Sequence, residues 1–433
     1  MTTKRFSWLA LLAALAMIVA ACGGGETASE ETTAETTATT AAPEPATTVA
    51  EETTTTEAAP AAELVVWADA NRSPVVEAIA PAFEEATGVS IKVEVQDFGQ
   101  IKDLATTAAP AGEGPDVFIG AHDWTGELVA NGIVEPMDLS SVESNLDPQA
   151  IAAFTVDGTT YGLPVAIETV GLYRNTDLVP DAPATFEEIG EICAGLEALE
   201  NCIGVPGGGD GGDAYHNYFW VSAEGGYIFR YDDGVGYDPT DVGLDNDGAV
   251  AGVSFLEGLV ADGVVGSVNY DTAKSLFLAG SQPFWVTGPW ELGTLNGQTD
   301  VNWAASTLPT IAGNNPAPMV GSQGLYLSAF SENKVLAQSF LLEYVATTDV
   351  MQAIFDADAR PPVFSGVDAG ANQAAVDSFL ASAANGYIMP NIPQMGAVWG
   401  PLGDNLLLVR NGESAAADAM ATAAEAVRAA VAG

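Results

Sequence analysis

Residues 63–95 read ELVVWADANRSPVVEAIAPAFEEATGVSIKVEV, and their order of signals decides the fold. Leu64-Val65-Val66-Trp67 is a short apolar run of the buried-strand type. Ser73-Pro74 then opens a helix, with proline at a first-turn position where its missing N–H costs nothing. Gly88 stops that helix as a glycine that can turn left-handed. After it Val89, Ile91, Val93 and Val95 alternate with polar residues, which predicts a second strand. The same alternation continues outward. A helix is predicted from about Gln100 to Ala109, a strand from Asp116 to Ile119, and a short helix ending at Gly132. Thr185-x-x-Glu188 reads as a capping box that opens another helix. Ala-rich helices fill the last third, the final one from about Ser414 to Val431. Strands alternating with helices predict an α/β fold with mostly parallel sheets. In such sheets ligands sit at the carboxyl ends of strands, so the polar residues after Trp67 and after Ile119 are the first candidates. No internal repeat is visible.

Upstream of this block the chain changes character. Lys4 and Arg5 precede an apolar run from Phe6 to Ala20, too short for a transmembrane span. Val19-Ala20-Ala21-Cys22 resembles a bacterial lipobox. That resemblance implies a signal peptide over 1–21, cleavage before Cys22 and a diacylated Cys22 thiol, where an ordinary secretory signal would discard the cysteine. Residues 22–62 are mostly Thr, Ala and Glu with a few Pro, and include no aromatic and no Lys or Arg. A segment of that composition cannot bury enough apolar surface to offset chain entropy and is expected to be a disordered tether. Its threonines hint at O-glycosylation. The expected location is extracytoplasmic, lipid-anchored to the outer face of the cell membrane.

The signal takes two of the 12 basic residues and the tether eight of the 58 acidic ones, leaving 10 against 50 and a net charge of −40 for residues 63–433. Such a surface repels nucleic-acid phosphates and anionic lipid alike. It fits adaptation to salt, or a lineage bias with no specific partner. The 371 residues exceed one ordinary core and suit two lobes. With Cys22 lipidated, Cys193 and Cys202 remain in a compartment where disulfides persist, and their spacing favours a disulfide over two free thiols. His122 and His216 lie in separate segments with no metal-ligand spacing, so neither a metal nor a cofactor is expected. The segment Pro206-Gly207-Gly208-Gly209-Asp210-Gly211-Gly212 lacks a P-loop lysine and reads as a flexible loop at a cleft edge.

Several motifs occur together, in order. They include Phe83-Glu84-x-x-Thr87-Gly88, Gly114-Pro115-Asp116, Ala121-His122-Asp123, Gly162-Leu163-Pro164-Val165-Ala166-Ile167-Glu168 and Asn175-x-Asp177-Leu178. Gly225-Gly226-Tyr227, Asp241-Val242-Gly243 and Gly288-Pro289-Trp290 follow, then the run Met389-Pro390-Asn391-Ile392-Pro393-Gln394-Met395 ending at Trp399. In this order the chain resembles the maltose/maltodextrin-binding proteins of bacterial ABC sugar importers. The resemblance spans everything after the tether, and the run from Met389 is its most specific part. It implies a two-lobe periplasmic-binding-protein-like (type II) fold with three interlobe crossovers, near Ile167–Val170, Val320 and Gly370. Lobe 1 would comprise 63–167 and 320–371, lobe 2 168–319 and 372–433. It also implies a monomer that captures a maltodextrin-like oligosaccharide and passes it to the membrane subunits of an ABC permease.

A sugar ring offers hydroxyls at its rim and C–H groups on its face, so a sugar cleft needs flat aromatic rings together with carboxylates or amides. By resemblance Trp290, Trp399 and Tyr215 are ring platforms, Tyr270 another cleft residue, and Met389 part of the wall. Asp123 and Glu168 are acidic acceptors for hydroxyls, although Asp123 could equally cap a helix and Glu168 brace a crossover. Asp213 stands where the family has Glu. Asn71 and Arg72 stand where it commonly has Asp and Lys, and Asp69 could supply the missing acid. Gly120 replaces a tryptophan and Trp124 an arginine, so an aromatic has moved four residues along and a cation has gone. Those departures leave trehalose and other α-glucosides open as ligands. Trp67 reads as core and His122 as structural. An amino-acid or peptide ligand and a glycoside hydrolase using Asp123 and Glu168 are the competing readings. No Ser-His-Asp or metal motif supports an enzyme.

Overall fold

The computed structural model describes residues 62–207, 212–232 and 235–432. The signal peptide, Cys22, nearly all of the tether and the glycine-rich stretch 208–211 lie outside the described residues. Among the described residues no helix is long and apolar enough to cross a membrane.

Local signals place the first elements. The strand Glu63–Ala68 is followed by the helix Ser73–Thr87, which has a proline in its first turn and ends on Gly88 at φ 73°. The strand Ser90–Val95, the helix Phe98–Ala108 and the strand Val117–Ala121 come next. The Asp97 carboxylate caps the helix Phe98–Ala108 by accepting from the Gly99 N–H. At the helix Phe186–Ala194 the Thr185 hydroxyl accepts from the Glu188 N–H at 3.1 Å, and the Glu188 carboxylate accepts from the Ala184 N–H. Trp67 is buried and its indole N–H donates to Glu94 at 2.8 Å, as a core residue should.

Two sheets organise the two lobes. In the first, Ser90–Val95, Glu63–Ala68 and Val117–Ala121 run parallel, and Met319–Leu327 lies antiparallel between Val117–Ala121 and Gly162–Glu168. Its core draws on residues from Leu64 to Ala166 and from Leu325 to Phe364. In the second sheet the order is Trp303–Ser306, Gly171–Asn175, Phe284–Thr287, Ile203–Gly204. Two of its three pairings are antiparallel, against the expectation of mostly parallel sheets. The reason is connectivity. A strand fed by its own crossover helix runs parallel to its neighbour, whereas a strand arriving directly from the other lobe enters from the opposite end.

The chain passes between the sheets from Glu168 to Gly171, from Ser306 to Met319, and again between Phe364 and Gln373. Tyr387–Ile388 then pairs with the first residues of Met319–Leu327, next to the crossovers. The carboxyl end of Val117–Ala121, the 3-10 turn after Phe284–Thr287 and the helix Trp399–Arg410 all face the space between the lobes.

Candidate functional site: a cleft between two sheets

The floor of the cleft is built around His122. Its Nδ1 accepts from the Ser322 N–H at 3.0 Å, which leaves Nε2–H to donate to the Met389 carbonyl at 2.9 Å. The ring thereby ties the end of the strand Val117–Ala121 to the strand Met319–Leu327 and to the residue after Tyr387–Ile388. Burial pushes the imidazole down to about 4, so it is neutral and structural.

Asp123 and Glu168 line the same cavity, of about 550 Å³. Burial pushes Asp123 up to about 7; the Lys102 ammonium pulls the other way and the Glu168 carboxylate adds to the rise. Glu168 Oε2 accepts from Gln323 Nε2 at 2.9 Å and from Arg360 Nε at 2.5 Å. One oxygen of this acid is therefore committed to neighbouring side chains.

The aromatic wall has its own supports. Trp290 sits in the turn Pro289–Glu291, and its indole N–H donates to Tyr270 Oη at 2.7 Å. Tyr270 in turn donates to Glu291 Oε1 at 2.5 Å, and Glu291 is buried and paired with Lys274. Glycine at 288 lets the Trp290 ring lie where it does, since a Cβ there would stand 2.0 Å from that ring. Tyr215 meets Trp290 at 6.0 Å between ring centroids, and its buried hydroxyl has no partner among the described residues. Met389 and Trp399 close the wall from the third side. Tyr215 and Trp399 also line an adjoining cavity of about 400 Å³, together with Tyr270 and Asp213.

The Gly120/Trp124 departure has a spatial explanation. A Cβ at Gly120 would lie 2.7 Å from the Trp124 ring, so that ring covers the backbone where a side chain at 120 would otherwise stand. Trp124 also packs on Phe98 at 5.2 Å and lines the cavity. An aromatic surface is kept but is delivered from a different position.

Five predicted residues do not line the main cavity: Tyr270, which supports Trp290, and Asp69, Asn71, Arg72 and Asp213. Arg72 is 4 % exposed, and its Nε donates to Asp69 at 2.6 Å. It also pairs with Asp358 at 3.6 Å, contacts the Gln323 side chain and stacks over Phe98. Burial alone would raise Asp69, but the Arg72 guanidinium and two backbone N–H donors hold it below the usual carboxylate range. The two charges satisfy each other behind the cleft wall. Asn71 faces a separate cavity of about 410 Å³ that shares Trp290 with the main one. Asp213 is engaged too: it caps the helix Ala214–Ser222 through the His216 N–H and meets His216 Nδ1 at 2.7 Å. Against the effect of burial, His216 holds its carboxyl low.

Sequence reading missed Arg360, Gln323, Lys102 and Phe98, all of which line the cavity. For Arg360 there was a signal, because cations are so scarce that each one calls for an explanation. The structure joins Cys193 and Cys202 in a disulfide between the helix Phe186–Ala194 and the strand Ile203–Gly204.

Comparison with known proteins places this architecture. Residues 78–380 match the family described as bacterial extracellular solute-binding protein. A galactooligosaccharide-binding protein of Bacillus subtilis is 29 % identical over 85 % of this chain and 89 % of its own. A maltotriose-binding protein of Pyrococcus abyssi is 30 % identical over 78 % and 75 %. A maltooligosaccharide ABC transporter solute-binding lipoprotein of Streptococcus pneumoniae is 26 % identical over 84 % and 87 %. With a two-lobe α/β fold, a cleft between the lobes and a family match over well over half its length, the chain belongs to the bacterial extracellular solute-binding proteins.

Proposed function

We propose that this protein captures an oligosaccharide of the maltodextrin type in the interlobe cleft and delivers it to an ABC importer. The observation that carries the reading is the meeting of Trp290, Trp399 and Tyr215 with Asp123 and Glu168 around one cavity of about 550 Å³. Its size suits a small ligand, and rings plus acids suit a hydroxylated one. The names of the three relatives, each an oligosaccharide binder, agree with this. The protein works as a monomer held outside the cytoplasm by lipid on Cys22, with the permease as its membrane partner. Lobes 63–167 with 320–371 and 168–319 with 372–433 close on the sugar. The ligand favours closure only to the extent that it binds the closed form better.

In this reading the protein catalyses nothing. Asp123 and Glu168 share a cavity, which is the observation a glycoside hydrolase would need. Glu168 Oε2, however, is bound by Gln323 and Arg360, which suits a brace better than a nucleophile. Tryptophan fluorescence titration with maltose, maltotriose, trehalose and sucrose, followed by chromatography of the sugar, tests both readings. Trp290→Ala and Trp399→Ala should each weaken maltotriose binding at least tenfold, on the order of 1.4 kcal/mol, with the sugar recovered intact. Unchanged affinity in both variants removes the ring-platform assignment, and shortened products would make the protein an enzyme.

A further inference from the structure

We infer that Arg360 is a specificity-determining residue that walls off one end of the cleft and thereby limits the length of the oligosaccharide accepted. The inference rests on the sugar reading above. Two cavities meet at Trp290: the main one of about 550 Å³ and a neighbour of about 410 Å³. Arg360 lines the first and not the second, while its ion-pair partner Asp358 lines the second and not the first. The Arg360–Asp358 pair and the Trp290 ring therefore form the partition.

The partition is fixed in place. Arg360 Nε donates to Glu168 at 2.5 Å, Nη1 donates to Asp358, and the guanidinium lies over the Trp290 ring at 5.6 Å. Glu168 and Asp358 are 8 % and 6 % exposed. A planar guanidinium held by two buried acids and one ring has little freedom to swing aside. Two carboxylates also neutralise it, so it offers no net positive charge to attract an anionic sugar.

Beyond the partition the chemistry still suits a sugar. Asn71, Asn296, Asn372, Asp368 and Phe355 are among the residues that line the neighbouring cavity. Rings with amides and acids are what a hydroxylated ring needs. What stops a longer chain is thus the Arg360 side chain, not an unsuitable lining.

Calorimetric titration of the full chain with maltose, maltotriose, maltotetraose and maltohexaose reads this directly. In the wild type, affinity should level off along the series. In Arg360→Ala it should go on rising, with maltohexaose gaining roughly tenfold relative to maltose, the worth of one added ring contact. Asp358 keeps Arg72 at 3.6 Å and Glu168 keeps Gln323 at 2.9 Å, so neither acid loses every partner in that variant. Gly293→Gln gives a second handle. Gly293 lines the neighbouring cavity, and a Cβ there meets nothing within 4 Å. Alone it should change no affinity in the series; combined with Arg360→Ala it should cancel the gain for long chains. Parallel length profiles in the wild type and Arg360→Ala overturn the role of Arg360 and leave the sugar reading standing. A loss confined to long chains in Gly293→Gln alone also overturns it, because sugar would then already pass the partition. If the wild type binds no sugar of the series, the sugar reading fails and this inference with it.

Discussion

His122 and Asp123 are chain neighbours that burial drives in opposite directions, from ordinary values of 6.5 and 3.8 to about 4 and about 7. For the imidazole the folded state prefers the neutral form. Its contribution to stability is complete above pH 6.5 and is lost as pH falls towards 4. For the carboxyl the folded state prefers the protonated form. That contribution is complete below 3.8 and is lost as pH rises through 7. The two slopes oppose each other between about pH 4 and 6.5. Asp123→Asn removes only the second, so its stability relative to wild type should rise steadily from pH 4 to pH 7 in urea unfolding. A difference that does not vary with pH would mean that water reaches the Asp123 carboxyl and that burial does not shift it. Which residues reach the cleft was partly legible beforehand. Trp290, Trp399, Tyr215, Asp123 and Glu168 sit in distinctive local contexts, and all line the cavity. Arg72 shows where such reading stops. Its place after the first strand was readable, but whether its guanidinium turns to a ligand or to Asp69 depends on contacts no local pattern encodes. The scarcity of cations drew notice to Arg360 but could not place it in the cleft, since it meets Glu168 across 192 residues of sequence.

Elements with local start and stop signals were readable nearly to their ends. Pro74 and Gly88 bracket one helix, and Thr185 opens another through its own hydroxyl. Strand direction was not readable. Every residue of Met319–Leu327 is buried, so the strand shows no alternation, and its partners Val117–Ala121 and Gly162–Glu168 are far away in sequence. The disulfide belongs to this scale because it staples the end of one helix to the next strand. With a sequence separation of 9, the loop it closes is short, and the entropy it removes from the unfolded chain corresponds to about 2.7 kcal/mol. Replacing Cys193 and Cys202 together by Ser should lower the unfolding free energy by about that amount, and reduction of the wild type should lower it equally. Equal stability of oxidised and reduced protein would show that the segment between them is already ordered in the unfolded ensemble.

Charge is a property of the whole molecule. Of the ten basic residues between 63 and 433, eight lie within 4.0 Å of a carboxylate. The cations are thus already committed, Arg360 in the cleft itself and Arg72 behind its wall. The remaining carboxylates have only water and dissolved ions to moderate their mutual repulsion, and that repulsion weakens the compact state. Screening shortens the reach of each charge from about 10 Å at 0.1 M salt to about 3 Å at 1 M. The melting temperature should therefore rise between those two concentrations, to a similar extent with NaCl and KCl. The exposed ion pair Lys92–Glu94 contributes too little to reverse the trend, because surface pairs are worth at most about 1 kcal/mol. Neutral sugar carries no charge into this field, so its affinity should change far less with salt than the melting temperature does. A melting temperature that stays level or falls as salt is added would mean that carboxylate repulsion does not limit the stability of this fold.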